Sequence, residues 1–303
     1  MSPTNHETLR VTVLAGGPSA EREVSLTSGR AVADALRRRG HDVLVADIGP
    51  ANLAALDQPA DAVFPALHGT FGEDGTLQRL MEARGIRFVG SGSEASARAM
   101  DKVATKQVAG DLGIPTPAYE VVTPPAQPTL APPVVVKPIA EGSSVATAVV
   151  HEPEKLSQAL DIVTGKYGRA LVERFIAGDE LTVGIVGQQV LPPICVRPRR
   201  AFYDYQAKYQ DDQTEYLFET GRSRALLEQA ATYSQRIFEA LGCRHLARVD
   251  WIADVDERLW FLEVNTITGF TAHSLVPKAA ARIGIPFDEL VERLVRMALE
   301  DRA

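Results

Sequence analysis

Apolar runs alternate with amphipathic segments through the first third of the chain. Residues 9–15 (LRVTVLA) form an apolar run that ends in Gly16 and Gly17, and residues 24–39 carry a helical pattern closed by Gly40. Strands that alternate with helices predict right-handed βαβ units and a parallel sheet. The remaining elements predicted in this region are strands at 42–47, 61–67 and 87–89 and a helix at 75–84. We therefore expect an α/β protein whose N-terminal domain is a doubly wound parallel sheet.

Prolines interrupt the middle of the chain. A helix predicted at 94–109 leads into a stretch with seven prolines between Pro115 and Pro133, which disfavours a regular helix there. The stretch is either a linker between domains or a connection inside the second domain, and the pattern favours neither. Further predicted elements are strands at 134–137, 146–150, 170–175, 180–186, 191–196, 248–253 and 259–264 and helices at 153–163 and 287–299.

Composition narrows the class of protein. The 303 residues are 45% hydrophobic and 23% charged, which excludes disordered and fibrous chains. The net charge of −7 argues against a nucleic-acid partner, which would favour a basic face. The two cysteines, Cys195 and Cys243, allow no disulfide framework and fit a reducing compartment. The chain has no secretory pattern and no apolar run of about 18 residues, so we expect a cytoplasmic protein without a membrane partner.

Two late apolar segments, ARVDWIAD and LWFLEVN, predict a hairpin whose polar side chains share one face. A two-residue turn at 256–257 would bring Asp250 opposite Glu263 and Arg248 opposite Asn265. Directly opposed carboxylates repel each other unless a cation lies between them. Oxygen ligands of this kind suit Mg²⁺ or Mn²⁺. The alternative is a solvated hairpin face, against which the apolar flanking residues argue.

Several polar residues stand beside glycines near predicted strand ends, where α/β sheets bind ligands. Lys137 ends the run VVVKP before EGSS and either holds a phosphate or is a plain exposed lysine, and the same alternatives apply to Lys102. Glu21 near a helix start either complements the helix dipole or binds the ammonium group of an amino acid. His68 is either structural or part of a ligand site. Neither G-x-x-x-x-G-K-[ST] nor G-x-G-x-x-G occurs, so a phosphate site must use another design.

Taken in order, these motifs resemble the D-alanine–D-alanine ligases of the ATP-grasp superfamily. The resemblance covers residues 11–299 and rests on VTVLAGGPSAEREVSLTSG, ALHGTFGEDGTLQ, VVVKPIAEGSSV, FYDYQAKY, ARVDW, FLEVNT and GFTAHSLVPKAA. It implies a three-subdomain ATP-grasp architecture, with an N-terminal substrate-binding domain at 1–97, a central subdomain at 98–178 and a C-terminal subdomain at 179–303. It also implies a homodimer that binds ATP between the last two subdomains and makes D-alanyl-D-alanine for peptidoglycan precursors through an acyl phosphate.

The resemblance assigns roles to individual residues by motif position. Phosphate contacts are implied for Lys102, Lys137 and Lys208, adenine contacts for Glu173, Phe175 and Ile176, and a ribose contact for Glu180. Two Mg²⁺ or Mn²⁺ ions are implied at Asp250, Glu263 and Asn265. Contacts with the two D-alanines are implied for Glu21, His68, Ser274 and Leu275. Catalytic roles are implied for Glu21, Ser143, Tyr209, Arg248 and Gly269, the last two at the oxyanion of the tetrahedral intermediate.

Some positions depart from the family pattern and bear on substrate choice. Thr268–Gly269–Phe270 stands where Pro-Gly-Met is usual, and Ala146 stands where glycine is usual. Loss of the proline would leave the oxyanion loop less constrained. An alternative function is that of a sister ligase, joining D-alanine to D-lactate, D-serine or another amine, but Tyr209 is the residue of the dipeptide ligases. A non-catalytic regulator on the same scaffold would have lost Arg248 or a metal ligand, and none is lost.

Overall fold

The N-terminal part is a parallel sheet with the strand order β2-β1-β3. The computed structural model describes residues 7–142, 144–197 and 214–301. The elements of this part are β1 (Arg10–Ala15), α1 (Arg22–Arg38), β2 (Asp42–Asp47), β3 (Ala62–Pro65) and α2 (Thr76–Glu82). The strand predicted at 87–89 is reduced to a single parallel bridge between Val63 and Phe88. The other elements predicted here are confirmed, with shifts of a few residues at their ends.

Helices cover both faces of this sheet. Val11 and Val13 of β1 belong to a core cluster with residues of α1 and of the C-terminal helix. Leu14 belongs to a different cluster, with Leu77 and Met81 of α2. The split follows from the alternation of side chains along a strand. The doubly wound arrangement expected from the sequence is therefore present.

The single helix predicted at 94–109 is wrong, because the structure has two helices, α3 (Ser93–Met100) and α4 (Lys102–Asp111). Asp101 between them has an extended backbone, and its carboxylate accepts hydrogen bonds from the N–H groups of Val103 and Ala104. An aspartate in this position satisfies the open N–H groups of a new helix. The cap thereby makes Lys102 the first residue of α4.

The central part is an antiparallel sheet with the order β4-β7-β5-β6. Its elements are β4 (Tyr119–Val122), β5 (Val134–Lys137), β6 (Ala148–Val150), α5 (Leu156–Tyr167) and β7 (Ala170–Arg174). Strand β4 lies within the proline-rich stretch and pairs with β7. The five prolines from Pro124 to Pro133 therefore lie in the connection from β4 to β5, inside this sheet, as the second of the two interpretations has it, whereas Pro115 and Pro117 precede β4.

The C-terminal part is a larger antiparallel sheet with the order β11-β10-β8-β12-β13 and with β9 beside β8. Its strands are β8 (Gly178–Val186), β9 (Gln189–Val190), β10 (Ile194–Arg197), β11 (Glu215–Leu217), β12 (Leu246–Asp254) and β13 (Leu259–Asn265). Helix α6 (Arg224–Ala240), which the sequence pattern did not reveal, buries Ile237 and Phe238 in the same core cluster as Trp251 and Phe261. This core packs helix α6 against β12 and β13 and thereby fixes the position of the two strands.

The end of the chain returns to the N-terminal sheet. Helices α7 (Leu275–Arg282) and α8 (Phe287–Glu300) follow β13. Helix α8 contributes Leu290 to the core cluster of the parallel sheet, and its Asp288 pairs with Arg38 of α1 at 2.7 Å. The domain boundaries at 97/98 and 178/179 stay predictions. Within the described ranges, none of the helices combines the length and the apolar character that a membrane crossing requires.

Candidate active site

The hairpin of β12 and β13 sets Asp250 opposite Glu263 and Arg248 opposite Asn265, which confirms the predicted pairing. Asp250 is buried, and its oxygens accept hydrogen bonds from Arg248 (Nε 2.9 Å, Nη2 2.8 Å), from the Thr182 hydroxyl (2.7 Å) and from the Asn265 amide (3.1 Å). A buried carboxylate needs such partners. Asp250, Glu263 and Asn265 thus place two carboxylates and one amide on one face of the hairpin.

The predicted two-residue turn of this hairpin is wrong. The Asp254 N–H donates to the Arg258 carbonyl at 3.0 Å, which closes a three-residue turn. Farther along, Trp251 pairs with Phe261 although Asp250 pairs with Glu263, so Leu262 is an extra residue on β13. A bulge of this kind turns the side chains beyond it. Here the bulge offsets the longer turn, and the two carboxylates face each other.

Lys102 connects the hairpin to the central part of the chain. Its Nζ atom lies 3.1 Å from Glu263 Oε2 and donates to the Glu141 carbonyl at 2.6 Å.

Among the described residues, no group of three or more His, Cys, Asp or Glu side chains is arranged to hold a metal ion. The oxygen atoms on offer are those of two carboxylates and one amide. Such a set suits Mg²⁺ or Mn²⁺ when phosphate and water complete the shell.

A cleft between the central and C-terminal sheets collects most of the residues that the sequence assigns to nucleotide and metal. Its lining includes Lys102, Lys137, Glu173, Phe175, Ile176, Glu180, Asp250 and Glu263. Apolar walls come from Pro117, Val135, Ile252 and Leu262. Concave sites with apolar walls and a few charged side chains are typical of small-molecule binding.

At the back of this cleft, Glu173 of β7 lies between two lysines. Its Oε1 is 2.7 Å from Lys106 Nζ, and its Oε2 is 2.7 Å from Lys137 Nζ. Burial raises the pKa of Glu173, but the two ammonium groups outweigh burial and hold this pKa below its ordinary value. Burial lowers the pKa of Lys106, and Glu173 offsets only part of that effect. The three side chains form one buried ionic cluster.

A second polar cluster lies at the carboxyl ends of the parallel strands. The Gly69 N–H donates to Glu73 Oε2 at 2.8 Å, and His68 Nδ1 lies 3.7 Å from Glu73 Oε1. Burial raises the pKa of Glu73, and His68 opposes this. The Nε2 atom of His68 is buried and has no hydrogen-bond partner within the described part of the chain. The Glu21 carboxylate lies next to this cluster. Its Oε2 atom would be 3.3 Å from a Cβ added to Gly69 and 3.1 Å from a Cβ added to Gly142.

The loop after β13 is anchored at Phe270. The Phe270 N–H donates to Ser28 Oγ of α1 at 3.0 Å. The Phe270 ring lies 5.5 Å from the Phe64 ring and 5.8 Å from the Phe287 ring. A loop with Thr268 in place of the usual proline is therefore held by one buried hydrogen bond and by aromatic packing.

The predicted second-substrate residues lie at a helix start next to this loop. Ser274 immediately precedes α7, and Leu275 is its first residue. Ser274 Oγ accepts a hydrogen bond from the Thr271 N–H at 3.0 Å. A Cβ on Gly269 would lie 3.3 Å from Ser274 Oγ. Gly269, Ser274 and Leu275 therefore belong to one small region.

Three predicted site residues, Ser143, Lys208 and Tyr209, lie outside the described residues. The sequence pattern also did not point to four residues that contact the predicted site: Ser28, Glu73, Lys106 and Thr182. Two of these carry a local signal, since Glu73 follows His68 in the same glycine-rich loop and Lys106 follows Lys102 by one helical turn. Ser28 and Thr182 carry none, because their partners are 242 and 68 positions away.

Family models match most of the chain. One described as "D-ala D-ala ligase C-terminus" matches residues 110–296, and one described as "D-ala D-ala ligase N-terminus" matches residues 46–91. A D-alanine–D-alanine ligase of Syntrophotalea carbinolica is 46% identical over 295 residues, 94% of this chain and 95% of that protein. Its counterpart of Ectopseudomonas mendocina is 44% identical over 299 residues, 97% of this chain and 96% of that protein.

Solved structures agree with the family models. A D-alanine–D-alanine ligase of Bacillus anthracis complexed with ATP superposes with a TM-score of 0.83 at 29% identity, over 96% of this chain and 98% of that one. The three-part arrangement of sheets is thus the ATP-grasp architecture that the resemblance implies. The chain belongs to the D-alanine–D-alanine ligase family.

Proposed function

We propose that this protein joins two D-alanine molecules into D-alanyl-D-alanine, converting ATP to ADP and phosphate, for peptidoglycan precursors. The observation that supports this most strongly is the cleft in which Lys102, Lys137, Asp250 and Glu263 converge. Relatives that carry the name D-alanine–D-alanine ligase cover nearly the whole chain. The family resemblance also supports a homodimer in the cytoplasm.

The cleft is the proposed ATP site. Glu173, Phe175 and Ile176 line it and would contact the adenine, with Glu180 at the ribose. Lys102 and Lys137 would bind the phosphates, since charge-assisted hydrogen bonds to phosphate oxygens are short and strong. Lys208 is proposed to join them. The apolar walls fit a flat base, and the lysines fit a polyanionic tail.

The residues present fit divalent cations. Asp250, Glu263 and Asn265 offer oxygen atoms from facing strands, and Arg248 and Lys102 balance the two carboxylates in this structure. We propose that the three oxygen-bearing side chains hold two Mg²⁺ or Mn²⁺ ions together with the nucleotide. Ions bound there would neutralise charge on the transferring phosphoryl group.

The first half-reaction takes place on the first D-alanine. Glu21 would bind its ammonium group, and His68 would lie near its carboxylate. That carboxylate attacks the γ-phosphorus of ATP while the bond from γ-phosphorus to the bridging oxygen breaks, which yields an acyl phosphate and ADP. The segment FYDYQAKY is proposed to close over the site, with Tyr209 hydrogen-bonding with Ser143 and Glu21, because an acyl phosphate must be kept from water.

The second half-reaction joins the two amino acids. Ser274 and Leu275 would bind the carboxylate of the second D-alanine at the start of α7, where a helix favours an anion. The amine of that molecule attacks the acyl carbon and loses a proton, and the bond from this carbon to the phosphate oxygen then breaks, which releases phosphate with the bonding electron pair. Arg248 and the Gly269 N–H would stabilise the oxyanion of the tetrahedral intermediate.

Product analysis tests the proposal. The purified protein is incubated with ATP, Mg²⁺ and a panel of D-amino acids and D-lactate, with L-alanine as the matched control. The expected result is D-alanyl-D-alanine by mass, with one phosphate released for each dipeptide and none with L-alanine. Preferential formation of a product with D-serine or D-lactate would favour the sister-ligase alternative. Release of phosphate without any joined product would contradict ligase activity.

A further inference from the structure

Lys106 is a buried lysine to which the proposed reaction gives no direct role. Its side chain is 0% exposed, and it is absent from the lining of the cleft. An ammonium group is costly to bury, and a buried ion pair is weak evidence for a purely stabilising role, since apolar side chains of similar volume do as well or better. The position of this lysine therefore invites a functional explanation.

Lys106 stands in the middle of a chain of polar contacts that joins the two sheets around the cleft. Its Nζ atom is 2.7 Å from Glu173 Oε1 and donates to the Thr116 hydroxyl at 2.6 Å. The Thr116 hydroxyl donates to the carbonyl of Phe261 on β13 at 3.0 Å. In the other direction, Glu173 Oε2 is 2.7 Å from Lys137 Nζ. The chain runs from a lysine that lines the cleft to the strand that carries Glu263.

The charges along this chain are unequal. A single carboxylate lies between two ammonium groups, with one Glu173 oxygen directed to each. With Lys106 charged, only part of the negative charge of Glu173 is offset by Lys137. Lys137 then keeps positive charge that a phosphate can meet. With Lys106 replaced by a neutral residue, Glu173 and Lys137 form a neutral pair.

We propose that Lys106 is a positioning residue for ATP, which holds the Glu173 carboxylate and shares its charge so that Lys137 presents an unbalanced ammonium group to the phosphates. This inference rests on the proposed function and deepens it. Lys106 touches no substrate, and its whole effect on nucleotide binding passes through Glu173 and Lys137. A side chain that served packing alone would act independently of Lys137.

A double-mutant cycle of Lys106→Met and Lys137→Met tests the inference. The readouts are the Kd for ADP with Mg²⁺, by calorimetry, and the KM values for ATP and for D-alanine. Lys106→Met is expected to raise the Kd for ADP and the KM for ATP by about tenfold, the lower end of the effect seen when a partner that orients a metal ligand is lost. The KM for D-alanine is expected to change by less than about twofold. In the Lys137→Met background, Lys106→Met is expected to change the Kd for ADP by less than about twofold.

Two further variants separate positioning from folding. Ala109→Gly is the matched control, because Ala109 is a buried residue of the same helix that lies in the core cluster and outside the ionic chain. It is expected to lower thermal stability with an unchanged Kd for ADP. Thr116→Val removes the hydroxyl that accepts from Lys106, and we expect it to raise the Kd for ADP in the same direction as Lys106→Met. It serves as the test if Lys106→Met does not fold.

Three results would overturn the inference. The first is an unchanged Kd for ADP in Lys106→Met, or in Thr116→Val where that variant is the test. The second is a double variant whose fold-change in the Kd for ADP equals the product of the fold-changes of Lys106→Met and Lys137→Met. The third is a rise of this Kd in Ala109→Gly as large as that in Lys106→Met. Failure of the proposed function looks different, because the wild-type protein itself would then bind no ADP and form no dipeptide.

Discussion

Ser28 Oγ accepts the Phe270 N–H at 3.0 Å, across 242 positions of sequence. The contact is buried and joins the first helix of the chain to the loop that follows β13. Gly269, the residue before Phe270, supplies an N–H to the oxyanion in the proposed reaction. The hydrogen bond therefore constrains the neighbour of a proposed catalytic group, at a loop that lacks the proline usual in the family.

Ser28→Ala should affect both turnover and stability. A buried N–H group without its acceptor costs about 1–3 kcal/mol, so the free energy of unfolding should fall by that amount. A displaced Gly269 N–H should lower kcat by about tenfold or more, with the Kd for ADP unchanged. Thr27→Ala, on the exposed face of the same helix, is the matched control. A Ser28→Ala enzyme with full kcat would separate Ser28 from the oxyanion loop.

Arg248→Ala should lower kcat by about 10²–10³-fold, because the oxyanion that Arg248 stabilises in the proposed reaction forms only after substrates are bound. The KM for ATP should change far less. Arg248 also holds Asp250 through hydrogen bonds of 2.9 and 2.8 Å, so the Mg²⁺ concentration that gives half-maximal rate should shift as well. Equal losses in kcat and in ATP affinity would argue against the oxyanion role.

Glu263→Gln should raise the Mg²⁺ concentration needed for half-maximal rate. The substitution removes the negative charge while the amide keeps the shape, and divalent cations prefer carboxylate oxygens. Lys102 would lose its ion pair at 3.1 Å at the same time. Asp256→Asn, at the exposed turn of the same hairpin, is the control and should leave the Mg²⁺ titration unchanged. An identical titration for Glu263→Gln and wild type would remove Glu263 from the metal site.

His245 should make stability depend on pH. Its Nδ1 accepts the Gly90 N–H at 3.1 Å, and burial lowers the pKa of His245 below 6.5, with Asp301 opposing. The unfolded chain then binds more protons than the folded chain, so the free energy of unfolding falls as pH drops from 6.5 through the folded-state pKa.

The His245 prediction is measured by urea unfolding between about pH 7.5 and pH 5. His245→Asn is the comparison, since asparagine tolerates the left-handed backbone at this position, where φ is 60°. As pH falls, the free energy of unfolding should decrease more for the wild type than for His245→Asn. Parallel curves for the two proteins would contradict a buried, neutral His245.

Ala146→Gly should stabilise the protein. Ala146 has a φ of 53°, a left-handed conformation that costs a residue with a Cβ about 1–2 kcal/mol. Glycine removes this cost but adds unfolded-state freedom worth about 0.4–1 kcal/mol, so a net gain of about 0.5 kcal/mol in the free energy of unfolding is expected. Ala148→Gly, in the adjoining strand β6, should instead lower it. A loss in both variants would show that the left-handed cost is small here.

The local pattern of the sequence predicted much of the framework and the pairing of the hairpin, but it missed α6 and the break between α3 and α4. Apolar runs predicted β1, β2 and β5, and the order of motifs predicted the family. The pairing of Asp250 with Glu263 was also predicted, although the assumed turn was one residue too short. The bulge at Leu262 compensated for that error, and nothing in a strand's alternation announces where a bulge will form.

Only the tertiary structure decided which distant side chains meet. Lys106 and Glu173 are 67 positions apart, on a helix and a strand that pack around the cleft. Helix α8 completes the core of the N-terminal sheet from the opposite end of the chain. Hydrophobic periodicity is a property of neighbouring residues, so it determines elements and their faces. Buried hydrogen bonds and ion pairs depend on how those faces dock, which the sequence specifies only through the folded whole.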